Sequence, residues 1–445
     1  MPNKERSREV MWPRLVESKL LRRPFGSSRF VADLPNIQTL FPLHSFDDQI
    51  LSERSLSGHR DTLKYKIFVS TWNVGGVTPS DDLCLDDWLD VQNHSYDIYV
   101  LGFQEIVPLR AKNVLGPEKS WISNKWNSLI RDTLNKSTAN KVSNEGSKLR
   151  EQEEGSGQDK GASSRGDNSA GEFRCIISKQ MVGIMITIWI RSELLQFIHQ
   201  PSVSCIGCGI MGCLGNKGAV SVRFFVHKTS FCFVCCHLAS GGKAADVHLR
   251  NTDIIDILTR TSFPRGTSFN LPRKILDHDR VILLGDLNYR ISLQEGETKS
   301  LVEQKRWSNL LEKDQLRMEF TQGHIFQGWN EGLITFSPTY KYYPNTDMYY
   351  GCTPGTKCDK KRAPAWCDRI LWYGRGLKQI RYDRCESRLS DHRPVRAAFT
   401  AEVDVLRHSS SLGGFLMSDR LDEYLEKYSF EFNNNNEEGN ERTSL

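Results

Sequence analysis

Apolar positions along this chain follow two periods. The run Tyr65 to Trp72 is strand-like and opens the folded part, and a second run, Asp97 to Phe103, follows a turn-rich gap. Further strand-like runs lie at Met181–Arg191, Ala219–Val226, Phe231–Leu238, Val281–Leu284, Arg369–Tyr373 and Val395–Val403. Three stretches between them switch to helical spacing: Trp121–Leu134 (Trp126, Leu129, Ile130, Leu134), Asp246–Thr261 (Val247, Ile254, Ile255, Leu258) and Leu301–Phe320 (Trp307, Leu310, Leu311, Leu316). A long mixed series of this kind predicts an α/β chain with two packed β-sheets flanked by helices. No period of about 20–50 residues repeats, which excludes solenoids and propellers.

The pattern also marks boundaries. Residues 1–60 hold only short apolar pieces such as Leu15-Val16 and Phe30-Val31, and read as an arm, partly disordered. One folded domain is expected over 61–405. Within it, 137–171 turn to Ser, Gly, Asn, Lys and Glu, a composition that buries too little surface to offset chain entropy, so a disordered polar insertion is expected there. Residues 406–445 read as a tail, fraying over Asn433–Leu445.

Composition narrows the class. With 38% hydrophobic and 25% charged residues, the 445-residue chain is too apolar to be disordered as a whole. Its longest apolar run, Met181 to Ile190, is shorter than the roughly 20 residues a bilayer crossing needs. No apolar stretch follows the first basic residues, so neither a secretory signal nor a transmembrane segment is expected, and a cytosolic location is. The first thirty residues carry eight basic and three acidic side chains, an excess equal to the whole chain's net charge of +5. Such an arm reads either as a contact for anionic lipid or nucleic acid, or as a solubilising tail.

Twelve cysteines in a chain without a signal peptide are expected to be reduced. The spacing Cys205-x-x-Cys208 with Cys232-x-x-Cys235 resembles a zinc site on paper. Cys232 and Cys235 fall on a predicted strand, however, where residues i and i+3 point to opposite faces. Packing cysteines are the expectation.

Candidate chemistry gathers at the predicted strand ends. The first strand runs into Asn73, the second into Gln104-Glu105, and the run Phe231–Cys236 into His237. Val281–Leu284 breaks at Gly285-Asp286-Leu287-Asn288, Trp366-Cys367 leads to Asp368, and Ser390-Asp391-His392 precedes the last strand. Each alone is more often a turn residue or a structural histidine. If they converge, Glu105, Asn73, Asp286 and Asp391 offer hard oxygens suited to Mg²⁺. His237 and His392 would then donate to a phosphate oxygen, Asp368 would fix the His392 tautomer, and Asp286 with Asn288 would grip an attacking water. The set suits metal-assisted hydrolysis of a phosphate ester. Leu214-Gly215-Asn216-Lys217-Gly218 adds a Gly-flanked anion cradle without P-loop spacing. Tyr340-Lys341 and Lys360-Lys361-Arg362 add cations shortly before Asp368.

The run Pro364-Ala365-Trp366-Cys367-Asp368-Arg369-Ile370-Leu371 resembles the signature of the inositol polyphosphate 5-phosphatases, and Gly285-Asp286-Leu287-Asn288-Tyr289-Arg290 resembles its companion. Thr71-Trp72-Asn73, Gly102-Phe103-Gln104-Glu105, Gly215-Asn216-Lys217-Gly218 and Ser390-Asp391-His392-Arg393-Pro394 stand in the family's order over about residues 65–403. The polar insertion and Trp12-Pro13-Arg14 look most like the plant type I subgroup. The resemblance implies a DNase I-like four-layer α/β sandwich and a Mg²⁺-dependent 5-phosphatase domain over 61–405. Its substrates would be phosphoinositides or soluble inositol polyphosphates, with transient contact to anionic membranes and no nucleic acid. It implies Glu105 and Asn73 on the metal, and Asp286 orienting and deprotonating the water with Asn288 beside it. His392 with Asp368 would bind phosphate, completed by Asp391 and His237. Asn216, Lys217 and Arg290 would contact substrate, and Tyr340, Lys341, Lys360 and Arg362 would clamp the 4-phosphate. Where the family usually has Trp, two residues before Gly285, this chain has Leu283, which implies altered packing behind Asp286. The rivals are a nuclease of the same fold, with a long basic groove, and a catalytically silent lipid-binding module.

Overall fold

The computed structural model describes residues 29–33, 61–92, 95–150, 171–264, 271–323, 325–350 and 362–405; for 137–150 and 211 only the backbone is described. Among the described residues, twelve strands form two six-stranded sheets. The first contains β1 (Asp61–Asn73), β2 (Ile98–Gln104), β3 (Phe173–Met181), β4 (Ile184–Arg191), β11 (Leu377–Arg384) and β12 (Val395–Val405), in the order β11-β12-β1-β2-β4-β3. The second contains β5 (Ile198–Gly207), β6 (Gly218–Val226), β7 (Thr229–His237), β8 (Arg280–Asp286), β9 (Trp329–Glu331) and β10 (Asp368–Tyr373), in the order β5-β6-β7-β8-β10-β9. Each sheet has one parallel pair, β1 with β2 and β7 with β8, and is otherwise antiparallel.

The side-chain period of two sorts each interior strand between two cores. Ile67, Val69, Val100, Ile188, Val222, Phe233 and Leu284 meet between the sheets. On the outer face of the first sheet, Trp72, Phe103 and Trp189 pack under Trp126 of helix α1 (Ser120–Arg150), with Phe103 and Trp126 ring centroids 4.8 Å apart. On the outer face of the second, Val234 and Leu283 meet Ile254 and Ile257 of helix α2 (Asp246–Arg260). Helix, sheet, sheet and helix make the four-layer DNase I-like sandwich. Leu283, in the family's usual Trp position, is wholly buried in that outer core. Cys235 belongs to the core between the sheets and Cys232 to the outer one, so they cannot share an ion.

Three expectations change. Helix α1 continues to Arg150, into the segment expected to be disordered from residue 137; once its first turns are docked on the sheet, each added residue gains a backbone bond without a new nucleation cost. Residues 151–170 of that insertion lie outside the described residues, as do 406–445 and all of 1–60 except 29–33. The helical region Leu301–Phe320 is three helices, α3 (Glu295–Glu303), α4 (Trp307–Leu311) and α5 (Gln315–Gln322). It breaks at Lys305, whose φ of 55° is left-handed, and restarts where the Asp314 carboxylate caps the Arg317 N–H at 3.0 Å. The run Met181–Arg191 is a hairpin turn plus β4, because Val182 and Gly183 fold β3 back onto it.

Candidate active site

Five strand ends and the segment before β12 meet at one end of the sandwich. Strand pairing does most of the work: His237 is in register with Asp286 across β7 and β8, and Asp368 with Asp286 across β10 and β8. Asn73 ends β1 opposite Gln104 of β2, placing Glu105 one residue further. Gly285 lets β8 close onto β7 at this point, since its φ is 154° and a Cβ there would lie 2.1 Å from the Cys236 carbonyl oxygen. Two residues of the site, Glu105 and Asn288, hold left-handed backbone (φ 54° and 58°), an uncommon conformation for a non-glycine residue.

Asp286 is the hub. Its Oδ2 accepts from Asn73 Nδ2 at 2.9 Å and lies 3.3 Å from His237 Nε2 and 4.0 Å from His392 Nε2, while Oδ1 accepts from the Asn288 N–H at 3.1 Å. Glu105 Oε1 is 3.5 Å from Asn73 Nδ2 and 3.8 Å from His237 Nε2. His392 Nδ1 pairs with Asp368 Oδ2 at 2.8 Å, and Thr339 Oγ1 donates to the same oxygen at 2.7 Å. Burial works against the charged His392 ring, but the Asp368 carboxylate outweighs it and pushes the imidazole up to about 9. Burial would also raise Asp286, yet the facing His237 ring and the charges of His392 and Lys217 hold it well below the usual carboxylate range. Burial, then the Lys217 ammonium, lowers His237.

Cations rim this hub. Lys217 Nζ sits in hydrogen-bond contact with His237 Nε2. Arg290 bonds Asn288 Oδ1 at 2.6 Å and lies over the Tyr340 ring at 4.5 Å, and Arg362 reaches the Tyr340 hydroxyl at 2.8 Å. Lys341 pairs with Asp391 at 2.6 Å, and Tyr340 stands 4.6 Å from His392, ring to ring. Asn216 Oδ1 is buried next to Gly209 with no hydrogen-bond partner among the described residues. Asn288 is engaged at both ends of its amide, by Arg290 and by the Leu238 carbonyl at 3.1 Å, which leaves one Nδ2 hydrogen for a ligand. Apart from Asn216, which is packed against Gly209, and Lys360, which lies outside the described residues, the predicted site residues are gathered here.

The donor set fits a hard divalent cation. Glu105, Asp286 and the Asn73 amide are oxygen donors of the kind Mg²⁺ takes. As placed, Asn73 turns its nitrogen to the two acids and its oxygen to the Gly75 N–H at 3.0 Å, so offering that oxygen to a cation means giving up the Gly75 bond. Among the described residues, Asp286, Asp368 and His392 have ligand atoms all within 4.8 Å of one another.

Sequence reasoning missed the supports. Helix α2 places polar residues on its buried face: Asp253 accepts the Ala239 N–H at 2.7 Å, just past His237, and Asn251 accepts the Tyr289 hydroxyl at 2.7 Å, next to Asn288. Gln315 Oε1 accepts both the Arg290 N–H and buried Arg250. A polar residue on the buried side of an amphipathic helix was the available signal; Thr339 had none.

A family model described as Endonuclease/Exonuclease/phosphatase family 2 matches residues 70–398. The chain is 56% identical over 416 residues to the type IV inositol polyphosphate 5-phosphatase 9 of Arabidopsis thaliana, covering 93% of this chain and 96% of that protein. It is 44% identical over 428 residues to the type I inositol polyphosphate 5-phosphatase 8 of the same plant, with 90% and 88% covered. Among solved structures it resembles the inositol polyphosphate 5-phosphatase domain of SPsynaptojanin, crystallised with inositol (1,4)-bisphosphate and a calcium ion. That likeness has a TM-score of 0.61 and 31% identity over 87% of this chain and 99% of that one. Fold and site define an enzyme of the endonuclease/exonuclease/phosphatase class. Within it, the chain belongs to the inositol polyphosphate 5-phosphatases. The expected type I likeness widens to a type I/IV likeness, since relatives of both names match.

Proposed function

We propose that this enzyme hydrolyses the 5-phosphate of inositol polyphosphates, free or as lipid headgroups, by in-line attack of water with Mg²⁺ bound and without a phospho-enzyme. The observation that carries this reading is the convergence of Asp286, Glu105, His237 and the Asp368–His392 pair inside a tight rim of cations. Glu105 and Asn73 would hold the metal, which when bound supplies Lewis-acid neutralisation of phosphoryl oxygens. His392, charged at neutral pH, donates from Nε2 to a phosphoryl oxygen, while Asp368 and Thr339 fix its ring. Asp286 is a weak base at its depressed pKa, so it acts chiefly by accepting the water's hydrogen bond and aiming the lone pair at phosphorus. Lys217, Arg290 and the remaining Asn288 hydrogen bind the phosphate leaving the ring. Lys341, Tyr340 and Arg362 receive the neighbouring 4-phosphate, where Lys341 exchanges Asp391 for the ligand. Cys367 is no nucleophile: it is wholly buried, its Sγ faces the Tyr289 carbonyl, and burial raises its thiol far above neutrality.

Focusing of the cations on one small site favours a phosphatase over a nuclease, which needs charge along a groove. Competent residues at each hub position argue against a silent binding module. The basic arm of residues 1–60 supplies attraction to an anionic leaflet. Phosphate release from inositol 1,4,5-trisphosphate should stop in EDTA and return with Mg²⁺; full activity in chelator would remove the metal from this reading. Deleting residues 1–28, short of the Val31–Asp33 pairing with β3, should slow release from anionic vesicles and spare the soluble substrate, and equal rates on vesicles would free the arm of that role.

A further inference from the structure

The hairpin that follows Tyr340 and Lys341 carries four tyrosines and is held by three guanidiniums: Arg384 on the Tyr342 hydroxyl, Arg388 on Asp347, and buried Arg393 beneath. Tyr342 bridges to Tyr349, with their rings stacked at 4.3 Å, and Tyr343 meets Tyr350 at 4.8 Å. Arg393 follows the phosphate-side His392 directly and is fully buried. Its guanidinium stacks 3.9 Å from the Tyr342 ring centroid and donates to the Thr346 carbonyl, to Asp347 Oδ1 at 3.1 Å and to the Ser390 carbonyl at 3.4 Å. Its backbone N–H reaches the Thr339 carbonyl at 2.8 Å, and the Tyr342 N–H reaches the Asp391 carbonyl at 3.0 Å. Arg393 thus ties the segment bearing Asp391 and His392 to the hairpin on both sides of Lys341.

We propose that Arg393 is a positioning residue for substrate selectivity. By locking the hairpin onto the Ser390–His392 segment, it fixes the spacing between the Lys341 ammonium and the His392 ring, and so which pair of adjacent phosphates the site accepts. This inference rests on the reading of Lys341 as a contact of the 4-phosphate. A lysine side chain is rich in rotamers, and its ammonium discriminates position only if its backbone is fixed. A planar guanidinium can stack on a ring and bond several carbonyls at once; a lysine in its place keeps the charge and loses both.

The test is Arg393→Lys, assayed on inositol 1,4,5-trisphosphate and on inositol 1,5-bisphosphate, with melting curves for each protein. Loss of a fixed charge-assisted contact should raise KM for the trisphosphate about tenfold, with KM for the bisphosphate and both kcat values within about twofold of wild type. An equal change on both substrates, or no change on either, overturns the proposal. If Arg393→Lys does not fold, Asp347→Ala decides, because Asp347 is a surface partner of the same guanidinium. Arg388→Ala is its control, because Asp347 also pairs with exposed Arg388, and an equal shift in the control overturns the proposal. Asp347→Ala should shift the ratio of the two KM values in the same sense by about threefold, and an unchanged ratio overturns the proposal. Wild-type enzyme that releases phosphate from neither compound would sink the proposed function itself. Wild type that turns over both with the same KM would remove the premise about Lys341 and sink this inference alone.

Discussion

Asp286 ends a central strand whose two neighbours end beside it, whereas Lys341 rides at the base of a hairpin outside either sheet. Around Asp286, strand register sets the spacing: His237, Asp286 and Asp368 are consecutive rungs of β7, β8 and β10. The side chains are buried, and each is held by one or more fixed partners. Around Lys341, spacing depends on isolated backbone bridges, Tyr340 to Ala365 and to His392, and on side chains reaching between loops, through Asp391 and Arg393. On the proposed reading, steps that every substrate must undergo are built on the rigid sheet ends, and steps that tell substrates apart are built on an element outside the sheets. Changes in the first region should act on kcat whatever the substrate, and changes in the second on KM for some substrates only.

The largest expected effect is at the hub. Asp286→Ala removes the acceptor that aims the water and should lower kcat by about 10³-fold on every substrate, with a retained melting transition. A loss confined to substrates with a 4-phosphate would collapse the distinction between the regions. His392→Ala should cost kcat about 10²-fold, again without substrate preference, because the donor to the phosphoryl oxygen is lost. In the second region, Lys341→Ala should raise KM about tenfold for substrates bearing a 4-phosphate and leave the others near wild type. Equal losses in a two-substrate assay would place Lys341 with the hub.

The smallest effect concerns the support beneath the hub. Burial raises the Asp253 carboxyl to about 6, above its unfolded value, despite the Ala239 hydrogen bond. The folded state therefore binds this proton more tightly. The associated stability is fully present below about pH 4 and is lost as pH rises through about 6. Asp253→Asn keeps an oxygen for the Ala239 N–H and removes the charge, so it should melt at a higher temperature than wild type above pH 6, by up to about 2 kcal/mol of stability. The difference should fade towards pH 4; a gap independent of pH in parallel melts would mean Asp253 is not the titrating group.

How far the chain could be read before folding follows the same division. The eight strands that the apolar pattern found are the interior strands of the two sheets, buried on both faces. The four it passed over, β3, β5, β9 and β11, are the four sheet edges. The reasons differ: β11 alternates half-buried and exposed side chains at its start, β5 has a register shift around Pro201, and β3, though seven of its nine residues are buried, has its apolar run interrupted by Arg174, Ser178, Lys179 and Gln180. The hub was legible for a related reason. Interior strands end in polar residues that turn chemistry alone explains poorly, so Asn73, His237, Asp286 and Asp368 stood out. Thr339 and Asp253 did not, because neither closes a strand: Thr339 lies between elements, and Asp253 sits on helix α2.

On the proposed reading, the strand-end hub removes the 5-phosphate and no other. The most direct measurement is to identify the product when wild-type enzyme and Asp286→Ala act on inositol 1,4,5-trisphosphate with Mg²⁺ present. Wild type should yield inositol 1,4-bisphosphate and free phosphate, and the variant almost none. A product that has lost a different phosphate, or equal turnover by the variant, would contradict the account.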